Sequence, residues 1–199
     1  MLQVSRTVQT VDAHTGGEPL RIVTAGLPPL RGATILEKRA DAKARFDDLR
    51  RFLMLEPRGH ADMYGAILTP PVTPEADYGV LFLTNEGYSS MCGHGVIALT
   101  TTLLEMELLP RRSERETPVT YDSPAGLIRA VATHDGERVA AVHFQNVPAF
   151  QHRRGLAVPT SVGPVTVDVA WGGAFNGTSA ASPVAAGAAV LITAVLVAG

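Results

Sequence analysis

The chain holds a single cysteine, and its neighbours are those that would make a thiol reactive. Cys92 stands in Met91-Cys92-Gly93-His94-Gly95, with the polar run Asn85-Glu86-Gly87-Tyr88-Ser89-Ser90 before it. The thiolate, not the thiol, does the chemistry, and backbone N–H groups at the start of a helix favour it. Gly93 and Gly95 remove side chains there, so backbone can approach a ligand closely and the first-turn N–H groups stay free. His94 offers a second polar contact, and a small carboxylate could share the same N–H groups. A lone cysteine is otherwise a small buried hydrophobe. Glycines on both sides of His94 favour the reactive reading, since an inert core cysteine needs neither.

Two elements must position this turn. Tyr78-Gly79-Val80-Leu81-Phe82-Leu83 reads as a buried strand ending at Thr84-Asn85, while Val96, Leu99, Leu103 and Met106 recur at helical spacing. Cys92 is therefore expected in a strand-to-helix turn. Upstream, residues 8–13 alternate and lead through His14-Thr15-Gly16-Gly17-Glu18-Pro19 into a strand at Leu20-Arg21-Ile22-Val23. Adjacent glycines explain that turn structurally; the functional account is that it packs against the cysteine loop. Residues 36–55 form the clearest helix, with Ala42, Phe46, Leu49 and Leu53 on one stripe. Lys38, Lys43, Arg45, Asp48, Arg50 and Arg51 are expected on a solvated face. Pro57 ends this helix, and residues 56–65 make a polar turn before a strand at Ala66-Ile67-Leu68. Glu56, Arg58, His60 and Asp62 lack metal-ligand spacing and are expected to pair with each other or with backbone.

Beyond the cysteine helix, residues 109–118 are charged and bounded by proline, which predicts a surface connection. Residues 120–133 and 138–147 read as paired strands joined near Asp135-Gly136, and residues 165–169 as another strand. A mixed α/β (α+β) fold with mostly antiparallel strands and two main helices is predicted.

With 199 residues the chain can bury one sizeable core or two small ones. A net charge of -2 gives no electrostatic reason to expect nucleic acid or an acidic membrane as partner. One cysteine cannot form an internal disulfide, and the first residues lack a signal peptide's apolar core, so the cytoplasm is the expected compartment. Six scattered histidines without His-Glu-x-x-His spacing predict no metal.

Met91-Cys92-Gly93-His94 resembles the motif that carries the first catalytic cysteine of the proline racemase family. Asp12-Ala13-His14-Thr15-Gly16-Gly17-Glu18-Pro19 resembles that family's N-terminal segment, and the resemblance runs from about Val8 to Phe175. It implies one half of a two-lobed proline racemase or diaminopimelate epimerase-like fold, with a mixed sheet around a central helix. It also implies a cofactor-independent enzyme acting on a small cyclic amino acid. Cys92 would be catalytic, Gly93 and His94 substrate-binding, and neither cofactor nor metal would be needed. Residues 56–65 and 85–94 look most like the trans-3-hydroxy-L-proline dehydratases, in which a cysteine removes the α-proton and the 3-hydroxyl leaves. Proline racemases and 4-hydroxyproline 2-epimerases, which need a base on each face of the α-carbon, are the alternative.

Residues 1–175 are thus expected to form the cysteine lobe. Residues 176–199 form an atypical apolar tail where family members continue into a second lobe. Alignment puts Ala174 at the second reactive position, which alanine cannot serve. Residues 177–187 also resemble the nucleophile helix of subtilisin-like proteases, with Ser179 as nucleophile, but Asp12 and His94 have the wrong surroundings for its partners. Residues 183–199 carry no charge, and a buried alanine-rich helix is expected there in preference to a membrane span. An inactive half-enzyme, or one completed by a second copy as a homodimer, is the competing expectation.

Overall fold

Residues 6–161 and 163–173 are described in the computed structural model. In chain order they form β1 (Gln9–Thr15), β2 (Glu18–Ala25), α1 (Ile35–Met54), β3 (Gly65–Thr69), β4 (Tyr78–Leu83) and β5 (Tyr88–Ser89). Then follow α2 (Gly93–Glu105), β6 (Glu116–Ser123), β7 (Gly126–Asp135), β8 (Arg138–Gln145), β9 (Phe150–Thr160) and β10 (Gly163–Trp171). The expectations for residues 176–199, and that for Ala174, lie outside the described residues.

The unbroken apolar run of β4 follows from its place between two cores. Val80 and Phe82 join Leu20, Ile22, Ala66, Val96 and Leu99 around α2, whereas Leu81 and Leu83 join Val23, Phe46, Leu49, Leu53 and Ile67 around α1. Side chains alternate along a strand, so a strand covered on both faces must be apolar at every position. The main sheet runs β1-β2-β3-β4-β6-β7-β8, with the short β5 paired to β4. Only β2–β3 and β4–β6 are parallel, so the sheet is mostly antiparallel. Helix α2 packs against β1, β2, β3, β7 and β8, so the sheet curls round it from both ends of the strand order.

Helix α1 begins on a capping box: Thr34 Oγ1 accepts from the Glu37 N–H at 3.1 Å, and Glu37 Oε2 accepts from the Thr34 N–H at 3.1 Å. Its buried stripe of Ala42, Phe46, Leu49 and Leu53 is the one predicted. Lys38 and Arg50 depart from the expected solvated face, each being only 6% exposed. Lys38 Nζ donates to the Pro70 carbonyl at 2.6 Å, and Arg50 reaches two carbonyls beyond β4. Buried charge persists where hydrogen bonds replace water, and that condition is invisible in a helical pattern.

Three further expectations change. The stretch 120–133 is two strands, because Ser123 Oγ accepts from the Ala125 N–H and donates to the Gly126 carbonyl, closing a tight turn at Pro124-Ala125. Gly126 sits at φ +129°, where glycine is favoured. The surface connection expected over 109–118 is partly core: Leu109 is buried, and Thr117 is buried in β6 against His134 Nε2 at 2.8 Å. Met106, placed on the α2 stripe by spacing, follows the helix end and is 48% exposed. The hairpin at Asp135-Gly136 forms as predicted, with Asp135 opposite Arg138. Strand β9 has no counterpart in the sequence reading; it pairs with β10 in a separate two-stranded sheet.

Candidate active site

Cys92 is the residue immediately before α2, in extended conformation, and its carbonyl accepts the Val96 N–H at 3.0 Å. The chain reaches it from β4 through a narrow hairpin. Phe82 and Leu83 pair with Ser89 and Tyr88, and Ser89 Oγ then donates to the Met91 carbonyl at 2.9 Å. The sulfur lies against the first helical turn. A Cβ on Gly95 would stand 3.0 Å from Cys92 Sγ and 2.9 Å from Phe82 Cε1, so the glycine leaves room for the thiol itself. At Gly93 a Cβ would stand 3.3 Å from Phe144 Cζ on β8.

Burial works against the thiolate that the helix start favours. Cys92 is 2% exposed, and burial pushes its thiol up to about 12. The Gly95 N–H facing the sulfur opposes that rise, and the Glu18 carboxylate adds to it. Desolvation of a charge outweighs the field of one helix start when water is excluded.

His94 stands beside it. Cys92 Sγ is 3.4 Å from His94 Nδ1 and 3.6 Å from Nε2. Burial lowers the pKa of the imidazole, against the opposing effects of a hydrogen bond to the Pro19 carbonyl and of the Glu18 charge. A neutral imidazole at this distance can accept the thiol's proton. Tyr64 meets the imidazole edge-on at 4.9 Å between ring centroids. Thr15 Oγ1 donates to the His94 carbonyl at 3.0 Å, so the β1–β2 turn does pack against the cysteine loop. Arg21 fixes that hairpin: its guanidinium grips both Asp12 oxygens and donates to the Leu53 and Arg58 carbonyls.

Cys92, Gly93 and His94 are consecutive in the chain, and the fold adds Thr15, Glu18, Tyr64 and Phe144 around them. Thr15, Glu18 and Tyr64 lie in segments the sequence reading singled out, but nothing in their spacing shows that they converge. Phe144 carries no such signal. Within residues 56–62, His60 takes the backbone pairing expected, its Nδ1 2.6 Å from the Ala61 carbonyl, whereas Arg58 lies 3.8 Å over the Phe52 ring. Among the described residues no group of three or more His, Cys, Asp or Glu side chains could hold a metal ion. No described helix is long and apolar enough to cross a membrane.

A mixed sheet wrapped round a helix that begins at a cysteine defines a recognisable class of lobe. The family described as proline racemase matches residues 10–185, about ten residues further than the resemblance read from the motifs. The chain belongs to the proline racemase family. It is 55% identical over 175 residues to a trans-3-hydroxy-L-proline dehydratase of Burkholderia cenocepacia, covering 87% of this chain and 52% of that protein. It is 54% identical, with the same coverage, to a 3-hydroxyproline 2-epimerase of Burkholderia multivorans. The structure of a hydroxyproline epimerase from Agrobacterium vitis, with bound trans-4-hydroxy-L-proline, matches with a TM-score of 0.77 at 32% identity. That match covers 86% of this chain and 51% of the other. The chain thus spans about half the length of the curated relatives it matches.

Proposed function

We propose that this chain carries the Cys92 half-site of a trans-3-hydroxy-L-proline dehydratase, a cofactor-independent lyase. Residues 1–175 are read as the cysteine lobe, and residues 176–199 as a separate tail. The observation that carries the reading is the thiol of Cys92 seated at the start of α2 beside His94, in a chain 55% identical to a protein of that name.

The chemistry follows from the placement. Cys92, once ionised, takes the α-proton; a thiolate of raised pKa is a stronger base and suits so weak an acid. The substrate carboxylate rests on the N–H groups of Gly93 and His94, which begin α2 and have no partner within the helix. Those donors stabilise the charge that develops beside Cα. The electron pair released from the Cα–H bond forms the Cα–C3 double bond as the 3-hydroxyl departs with a proton as water. The resulting enamine tautomerises to Δ1-pyrroline-2-carboxylate.

The 54% identical relative named an epimerase supports a second reading, in which the same cysteine removes the proton and an opposite group returns one to the other face. A third reading is supported by the half-length coverage: the site is completed by a second copy or by a complementary lobe. A cytoplasmic location is consistent with the lone cysteine.

Product analysis separates these readings. The chain is incubated with trans-3-hydroxy-L-proline, alone and mixed with the C-terminal half of the B. cenocepacia dehydratase. Pyrroline-2-carboxylate and the C2 epimer are then quantified. Pyrroline formation by the chain supports the dehydratase reading, and its appearance only on mixing supports the completed site. Accumulation of the C2 epimer without loss of water would overturn the dehydratase reading.

A further inference from the structure

We propose that Arg50 and Asn85 are positioning residues: the loop they tie down at residues 84–87, together with the Tyr64 segment, fixes where Cys92 and His94 stand. The proposal rests on the reading of Cys92 as the base. It concerns residues that the site's own motif does not contain.

Arg50 leaves the C-terminal part of α1 and is buried against the loop that follows β4. Its Nη1 donates to the Thr84 carbonyl at 2.8 Å and to the Asn85 carbonyl at 2.7 Å. Its Nε and Nη2 hold Asp47 at 2.6 and 3.1 Å, which fixes the plane of the guanidinium. The guanidinium makes four bonds at once, to two carbonyls and to both carboxylate oxygens, whereas an ammonium has three donors on a single nitrogen. The loop is also closed internally, with the Thr84 N–H on the Gly87 carbonyl at 2.8 Å and the Gly87 N–H on Thr84 Oγ1 at 3.0 Å. From Gly87 the chain runs through β5, whose Ser89 hydroxyl holds the Met91 carbonyl, to Cys92. Displacing the loop therefore displaces the sulfur.

Asn85 connects the other support. Its Nδ2 donates to the Met54 carbonyl at 2.7 Å and to the His60 carbonyl at 2.9 Å. The first bond fastens the loop to the end of α1, the second to the segment that carries Tyr64. Tyr64 then meets the His94 ring, and its own carbonyl accepts the Arg21 N–H at 2.9 Å. One amide thus links the approach to Cys92 with the wall behind His94. A merely stabilising role would leave the folded thiol's environment unchanged.

Cys92 is the sole cysteine, so alkylation reads one place in the molecule. The measurement is the rate of iodoacetamide alkylation between about pH 6 and pH 10 for wild type, Arg50→Lys and Asn85→Gln, with folding checked by circular dichroism. Asp122→Asn is the control. Asp122 is equally buried, but its bonds go to the Val72 and Thr73 N–H groups and to Thr73 Oγ1, not to the cysteine loop. Both conservative variants are expected to react at least about tenfold faster than wild type at pH 8, as the thiol moves towards its ordinary pKa. The control is expected to follow wild type. Unchanged alkylation in Arg50→Lys and Asn85→Gln, or equal acceleration in Asp122→Asn, overturns the proposal. The readout is independent of turnover, so a Cys92→Ser variant that kept its activity would sink the assignment of the base without deciding this measurement.

Discussion

At the scale of single residues, the character of the site is set by how deeply the sulfur is buried. Cys92 has its pKa raised from 9.0 to about 12. A folded state that prefers the protonated thiol gains stability that is fully present below pH 9 and is lost as pH rises through about 12. Thermal unfolding followed from neutral pH into this window should therefore show a steeper fall for wild type than for Cys92→Ser. Parallel falls would contradict the burial argument. Gly95 makes a second residue-level claim. With Phe82 Cε1 2.9 Å and Cys92 Sγ 3.0 Å from a built Cβ, Gly95→Ala should cost about 1–3 kcal/mol in urea unfolding. A neutral result would show that the sulfur and ring move aside freely.

At the scale of elements, β4 is the piece on which both cores depend. Leu81 is fully buried on the α1 face, so Leu81→Ala should cost about 2–5 kcal/mol by equilibrium denaturation. Thr34→Ala, which removes the capping box, should cost only about 1 kcal/mol. The two elements that deliver Cys92 were legible in the sequence because each is governed by periodicity: an unbroken run for a doubly covered strand, and 3.6-residue spacing for α2. The hairpin at Asp135-Gly136 was legible from turn chemistry alone. Strand β9 was not, since it is exposed along most of its length and burial imposes no apolar alternation on it. Arg50 was misread for a related reason: a buried arginine and a solvated one look alike on a helix, and only the carbonyls of Thr84 and Asn85, supplied by another part of the chain, distinguish them. The motif located Cys92, but the direction of its pKa depends on what folds over it.

At the scale of the whole molecule, the β9–β10 ribbon stands apart from the main sheet. It leaves Phe150 54% exposed. A two-stranded ribbon has little stability of its own, whereas β3 and β4 lie inside two cores. Amide exchange should accordingly be fast throughout the ribbon and slow in β3 and β4; equal protection would mean that the ribbon is held by further contacts in solution. The chain spans about half the length of its curated relatives, so the account turns on whether the Cys92 half-site performs the dehydration. The most direct test is the rate at which trans-3-hydroxy-L-proline yields pyrroline-2-carboxylate, comparing wild type with Cys92→Ser, each assayed alone and with the complementary half of the B. cenocepacia dehydratase. The account predicts that the substitution lowers turnover at least about a hundredfold while the fold is retained. Turnover by Cys92→Ser at the wild-type rate would contradict it.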